Sequence, residues 1–133
     1  MKKYQGILLC SDIDGTLTDE SNNVSKENLE AIEYFNENGG TFTIATGRIP
    51  LTIPEVLFEH IKTPVICHNG SAFYDVHTKK YVSYKELGAR ARIIGSEISK
   101  QFPDSGVEVF RLYDIAFIKN NHATLRHIDV EGI

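Results

Sequence analysis

Apolar residues fall along this chain in short runs with two different periods. Ile7-Leu8-Leu9-Cys10 is a continuous run of strand length, and it predicts a buried strand over about Gly6 to Ser11. A polar stretch, Asp19-Glu20-Ser21-Asn22-Asn23, separates it from a helical pattern in which Leu29, Ile32 and Phe35 share one face. Ser25 is placed to cap that helix, with Val24 and Leu29 as a hydrophobic staple across its first turn. Gly39-Gly40 supplies the matching stop. A second apolar run predicts a strand over Thr41 to Ala45. Pro54 then opens a short helix ending near His60, because a proline is tolerated only at a helix start. A third strand follows at Pro64 to Cys67.

Strands and helices alternating with short joints read as an α/β fold, a doubly wound parallel sheet with strands one to three side by side in that order. From Ser71 the pattern changes. Ala72 to Val76 and Tyr81 to Tyr84 flank a turn-like His77-Thr78-Lys79-Lys80, which reads as a hairpin. A helix is expected from about Lys85 to Phe102, with Leu87, Ala91, Ile94 and Ile98 on its apolar face. Pro103 to Gly106 breaks it, and two further strands, Gly106 to Leu112 and Ile115 to Lys119, meet at Tyr113-Asp114. The expected division is a core half over 1–70 and a partial α/β unit over 71–133.

At 133 residues, with 41% apolar and 24% charged residues, the composition is that of an ordinary globular protein. A net charge of −4 and the lack of a basic cluster argue against a nucleic-acid surface. No apolar run approaches the roughly 20 residues that span a bilayer, and the two acids after Cys10 exclude a signal peptide. Cys10 and Cys67 both fall in expected core strands, as small buried hydrophobes. Reduced thiols and no leader give a cytoplasmic expectation. His68, His77, His122 and His127 lack metal-pair spacing and read as polar surface residues.

The chemistry concentrates where the first strand ends, at Asp12-Ile13-Asp14-Gly15-Thr16-Leu17-Thr18. Two carboxylates two residues apart at a strand end project to the same side. Like charges this close call for a shared proton or a cation. A divalent cation would leave one carboxylate to attack phosphorus and the other to move protons. A surface turn is one competing reading. A calcium loop is another, but it needs glycine at its sixth position, and here glycine is fourth.

Asp12-x-Asp14-Gly15-Thr16-Leu17-Thr18 resembles the first motif of the haloacid dehalogenase superfamily of aspartate-nucleophile phosphatases. Thr46-Gly47-Arg48 after the second strand and His68-Asn69-Gly70-Ser71 after the third resemble, in order and spacing, the Cof-type branch with a type IIB cap. The resemblance implies a Rossmannoid core followed by the beginning of an α/β cap. It implies Asp12 as nucleophile and Asp14 as general acid and base. Mg²⁺ would be held by the Asp12 carboxylate and the Asp14 backbone carbonyl. Thr46, Gly47 and Gly15 would bind phosphate, and Arg48 and Asn69 would contact a small phosphorylated substrate, such as a sugar phosphate.

That family also uses a lysine in a third motif and acids in a fourth, of the form Gly-Asp-x-x-Asn-Asp, and this chain contains no Gly-Asp dipeptide. Two functional expectations therefore stand side by side. One is a phosphohydrolase working through an aspartyl phosphate. The other is a catalytically incomplete module that binds phosphate or metal, or needs a partner chain. The sequence reads as the N-terminal part of such an enzyme, and the first strand is expected to leave an apolar edge open to self-association.

Overall fold

The computed structural model describes residues 2–131, with side chains through 129. The chain divides into two compact units, Met1–Tyr84 and Lys85–Ile133.

In the first unit β1 (Leu8–Ser11) is followed by α1 (Lys26–Glu37) and β2 (Thr41–Ile44). β1 and β2 pair in parallel, Leu8 opposite Thr41 and Ser11 opposite Ile44. Two 3-10 turns, Pro50–Thr52 and Glu55–His60, lead to β3 (Val65–Cys67). β3 joins β2 through a single parallel bridge, Ala45 to Ile66. The expected parallel order of the first three strands is therefore present, though its second junction is brief. β4 (Ala72–Asp75) and β5 (Lys80–Tyr84) extend β3 as an antiparallel meander. The hairpin thus pairs with β3 and lies in the first unit, beyond the expected division after residue 70.

The ends of α1 follow the sequence signals. Ser25 Oγ accepts from the Asn28 amide at 3.1 Å. At the other end Gly39 takes a left-handed φ of 92°, and the Gly39 and Gly40 amides donate to the Asn36 and Phe35 carbonyls. These two bonds form a Schellman motif. Asn36, buried on α1, donates to the His60 carbonyl at 2.7 Å and accepts from the Phe42 amide at 3.1 Å. One side chain therefore ties the helix to β2 and to the turn before β3.

The core is made by Ile13, Ile32, Phe42, Ile44, Leu57, Ile61, Val65 and Cys67. It lies around β2 and β3. β1 is not the buried strand its apolar run predicts: its residues are largely exposed, Leu8 by 60%, and Cys10 is exposed rather than buried, in keeping with the open first-strand edge that was also expected. The physical reason is its position, because among the described residues β1 has β2 on one edge and no strand on the other.

In the second unit α2 (Arg90–Gln101) precedes β6 (Val107–Phe110), β7 (Ile115–Lys119) and α3 (His122–Glu131). β6 and β7 are antiparallel, as expected. α2 starts later than predicted, after Gly88 at φ 63°. Its inward face also differs. Gly95 is buried, while Leu87, Ile94 and Ile98 are exposed. A Cβ at Gly95 would stand 2.2 Å from Ile118 Cδ1, so the glycine lets the helix lie close against β7. α3 was not anticipated. Its cap is nevertheless in the sequence: Asn121 Oδ1 accepts from the Ala123 and Thr124 amides.

Candidate active site at the carboxyl ends of β1 to β3

After Ser11 the chain leaves the sheet through a turn built on one residue. Ile13 is fully buried, and its carbonyl receives the Thr16, Leu17 and Thr18 amides and the Thr18 hydroxyl. Gly15 supplies the left-handed corner at φ 70°. Burying Ile13 leaves Asp12 and Asp14, on either side of it, exposed. Among the described residues, no hydrogen bond or ion pair engages the Asp12 carboxylate.

Asp14 is held differently. Arg48 Nη2 donates to Asp14 Oδ1 at 2.6 Å and Arg48 Nε to Oδ2 at 3.2 Å. This is the two-pronged match of guanidinium to carboxylate. The pair is asymmetric, since the Arg48 side chain is 1% exposed and that of Asp14 is 53% exposed. The same guanidinium donates from Nη1 to the Thr52 carbonyl and from Nη2 to Asn22 Oδ1, both at 2.6 Å. Arg48, expected to reach a substrate, instead directs its donors at Asp14, Asn22 and Thr52. Asn22 was missed by the sequence reading. It sits at φ 63° in a loop fastened by Asp19, whose Oδ1 accepts from the Ser21 and Asn23 amides. The available signal was the polar run 19–23, which reads as a turn and gives no hint that one of its side chains reaches an arginine.

Thr46 ends β2. It is buried, and its Oγ1 accepts from the Arg48 amide at 3.2 Å. No acceptor for its hydroxyl proton occurs among the described residues. Gly47 faces Asn69: a Cβ there would stand 2.9 Å from Asn69 Oδ1. Asn69 is exposed at the same mouth.

The third signal forms a tight corner. His68 and Asn69 both take left-handed conformations, φ 52° and 53°, and Gly70 follows at 90°. Such conformations cost on the order of 1–3 kcal/mol for a non-glycine residue and persist only when the surroundings impose them. Here the His68 amide donates to the Arg48 carbonyl at 3.1 Å and the Asn69 amide to the Thr46 carbonyl at 3.2 Å. The His68 ring is buried, not on the surface as expected, with Nε2 2.8 Å from the Tyr81 hydroxyl. Burial lowers its pKa from the ordinary 6.5 and so favours the neutral ring.

Thr46 and Arg48 are thus joined to the His68–Asn69 corner by backbone bonds, and Asp14 is joined to Arg48. The chemistry available is an open carboxylate at Asp12, an anchored carboxylate at Asp14 and a hydroxyl donor at Thr46. Among the described residues, no three His, Cys, Asp or Glu side chains gather closely enough to hold a metal ion. No helix among them is long and apolar enough to cross a membrane.

The family model of haloacid dehalogenase-like hydrolases matches residues 9–129. The 5-amino-6-(5-phospho-D-ribitylamino)uracil phosphatase YwtE of Bacillus subtilis is 36% identical over 64 residues, 48% of this chain and 22% of the relative. The pyridoxal phosphate phosphatase YbhA of Escherichia coli is 34% identical over 73 residues, 54% of this chain and 27% of the relative. The solved subclass IIB sugar phosphatase BT4131 superposes with a TM-score of 0.73 at 22% identity, covering 95% of this chain and 49% of that one. The chain therefore spans about half the length of that structure, and the curated alignments span about a quarter of theirs. With the family match running from within β1 into α3, the chain belongs to the haloacid dehalogenase-like hydrolase family and has that family's α/β fold.

Proposed function

We propose that this chain carries the nucleophile-bearing half of a phosphatase site for small phosphorylated metabolites. The supporting observation is the division of labour between two neighbouring acids: Arg48 engages both oxygens of Asp14, and Asp12 is left open. An unengaged carboxylate at a strand end can act as a nucleophile, and a neighbour fixed in orientation can act as general acid and base.

In this reading an Asp12 oxygen forms a bond to phosphorus as the ester P–O bond breaks. Asp14 enters this step having bound a proton on an oxygen released from Arg48, and the leaving oxygen takes that proton. Water then attacks the aspartyl phosphate, Asp14 takes its proton, and phosphate leaves with Asp12 restored. Each proton transfer requires one Asp14 oxygen to loosen from Arg48. The Thr46 hydroxyl and the amides of the Ile13–Gly15 turn would meet the phosphoryl oxygens. Gly47 admits Asn69 beside them, where it would touch the substrate. Mg²⁺, when bound, would neutralise phosphoryl charge. The oxygen donors fit it in kind: the Asp12 carboxylate and the Asp14 carbonyl would hold it, while the Asp14 carboxylate is turned to Arg48.

The two curated relatives are named for phosphate esters that carry a planar nitrogen heterocycle, and the structural neighbour for sugar phosphates. Both kinds belong in a substrate panel. The test is phosphate release from p-nitrophenyl phosphate, acetyl phosphate and that panel with Mg²⁺, using Asp12→Asn as the blank. Mass spectrometry of the quenched protein should find added phosphoryl on the peptide containing Asp12. Turnover that survives Asp12→Asn would refute the assignment.

A second reading is favoured by the uncovered edge of β1. Here the chain binds phosphate or metal weakly and acts when further polypeptide covers that edge. Turnover far slower than that of an intact phosphatase of the family, restored on adding such a polypeptide, is the outcome that selects this reading.

A further inference from the structure

We infer that His68 and Tyr81 form a positioning pair that holds the catalytic loop of β2 in place. The role, which rests on the phosphatase reading above, is carried out at a distance, because neither side chain lies at the proposed reacting atoms. The chain of contacts is short. The Tyr81 hydroxyl meets His68 Nε2, the His68 amide holds the Arg48 carbonyl, and the Arg48 fork holds Asp14. A parallel branch runs from the Asn69 amide to the Thr46 carbonyl.

Two features give this arrangement content beyond ordinary packing. His68 and Asn69 are consecutive non-glycine residues in the left-handed region, so the corner does not hold itself. Something must oppose its relaxation, and the fixed point available is the buried His68 ring. Tyr81 is itself fixed, by edge contacts with Tyr74 at 5.1 Å and Tyr84 at 5.8 Å between ring centres. Tyr74 is buried. The hairpin β4–β5, paired to β3, therefore acts as a back-stop for the loop.

The test is native-state amide exchange and the Arg48 Nε–H signal in nitrogen-15-labelled full chain, for Tyr81→Phe, His68→Asn and the double variant. Tyr81→Phe removes one hydroxyl and keeps the ring contacts. Asparagine tolerates the left-handed conformation but is too short to reach Tyr81. Each single variant is expected to speed exchange of the amides at 68 and 69 by about tenfold, the effect of losing one half-buried hydrogen bond. The Arg48 Nε–H signal should lose protection in step. The Thr41 and Ala45 amides, which bond to the Ile7 and Ser11 carbonyls, should change less than about twofold. The double variant should be no faster than His68→Asn alone, since the Tyr81 hydroxyl has lost its partner once the imidazole is gone.

Uniform acceleration across the unit would mean a general stability role and overturn the inference. So would multiplicative effects in the double variant, or unchanged exchange at the corner. The measurement reads the corner with or without turnover. Failure of the Asp12→Asn blank would remove the phosphatase reading and leave the pair standing. A correct blank with an unmoved corner would remove the pair alone.

Discussion

Arg48→Met tests how much the anchored acid contributes, and the structure sets the expected size. Breaking a buried ion pair by removing one partner commonly costs 3–5 kcal/mol, because a charge is left dry. That figure does not apply here. Asp14 is half exposed, so water replaces the arginine, and the lost fork is expected to cost about 0.5–1 kcal/mol. Asn22 is exposed too and rehydrates at little cost. The Thr52 carbonyl is half-buried, and losing a charged donor there costs roughly 1–2 kcal/mol. Methionine fills much of the volume and removes a charge from a fully buried position, which offsets part of the loss. The expected net is about 1–2 kcal/mol, or roughly 4–16 °C in melting temperature for a unit of this size. Arg48→Ala adds a cavity and should cost about 3–5 kcal/mol in all. Circular dichroism melts of both variants measure the difference. Any turnover should fall about 10- to 100-fold in Arg48→Met, since a general acid and base that is present but no longer oriented keeps part of its effect. If Met costs as much as Ala, the ion pair itself dominates and the solvent-screening argument is wrong. If Met costs nothing, Arg48 does not hold the loop.

Three more outcomes can be checked directly. Cys67 is buried and its thiol is pushed up to about 12, whereas Cys10 is exposed with a smaller upward shift from burial, so a thiol reagent at pH 8 should label Cys10 in the native protein and Cys67 only on unfolding. Burial lowers the His68 pKa below 6.5, so the unfolded chain binds a proton in that window that the native one does not; stability should be full above pH 6.5 and fall as pH drops below it, with the slope reduced in His68→Gln denaturation series. Ile7, Leu8 and Leu9 are exposed along the β1 edge, so the chain is expected to self-associate, and a strictly monomeric mass by light scattering at high concentration would count against it; Leu8→Lys should shift the protein towards monomer.

What the sequence made legible follows from how local each signal is. Ser25, Gly39 and Gly40 act within one turn of helix, and their bonds formed as read. The three strand-end motifs were also legible, because an apolar run followed by Asp, Thr or Asn with glycine marks a carboxyl end of a sheet. What was not legible depended on partners far along the chain. Arg48 was expected to contact substrate, and only the fold brings it to Asp14 and Asn22. His68 looked like a turn residue, and only the β3–β5 meander supplies Tyr81. The α2 face was misjudged because periodicity weighs Leu87, Ile94 and Ile98 by hydropathy, whereas close packing against Ile118 selects Gly95 by its lack of a side chain. The cap at Asn121 was a local signal and could have been found.

A phosphate dianion between Asp12 and Thr46 would approach an open carboxylate, and like charges repel. The arginine at this mouth does not relieve that repulsion directly, because its fork and side donors are directed at Asp14, Asn22 and Thr52. What the described residues offer the anion is neutral: the amides of the Ile13–Gly15 turn and the Thr46 hydroxyl. Neutral donors orient an anion, but at close range they do not cancel an adjacent negative charge. Two carboxylates, one of them neutralised, plus an incoming phosphate leave an excess of negative charge that has to be met from outside these side chains. A divalent cation against Asp12 meets it in one way, and a cationic side chain from further polypeptide meets it in another. Both are compatible with the proposed site, and the β1 edge that precedes Asp12 is exposed. The affinity for inorganic phosphate should accordingly be weak in the metal-free protein and rise with Mg²⁺, and the rise should vanish in Asp12→Asn if Asp12 is the group whose charge the cation offsets.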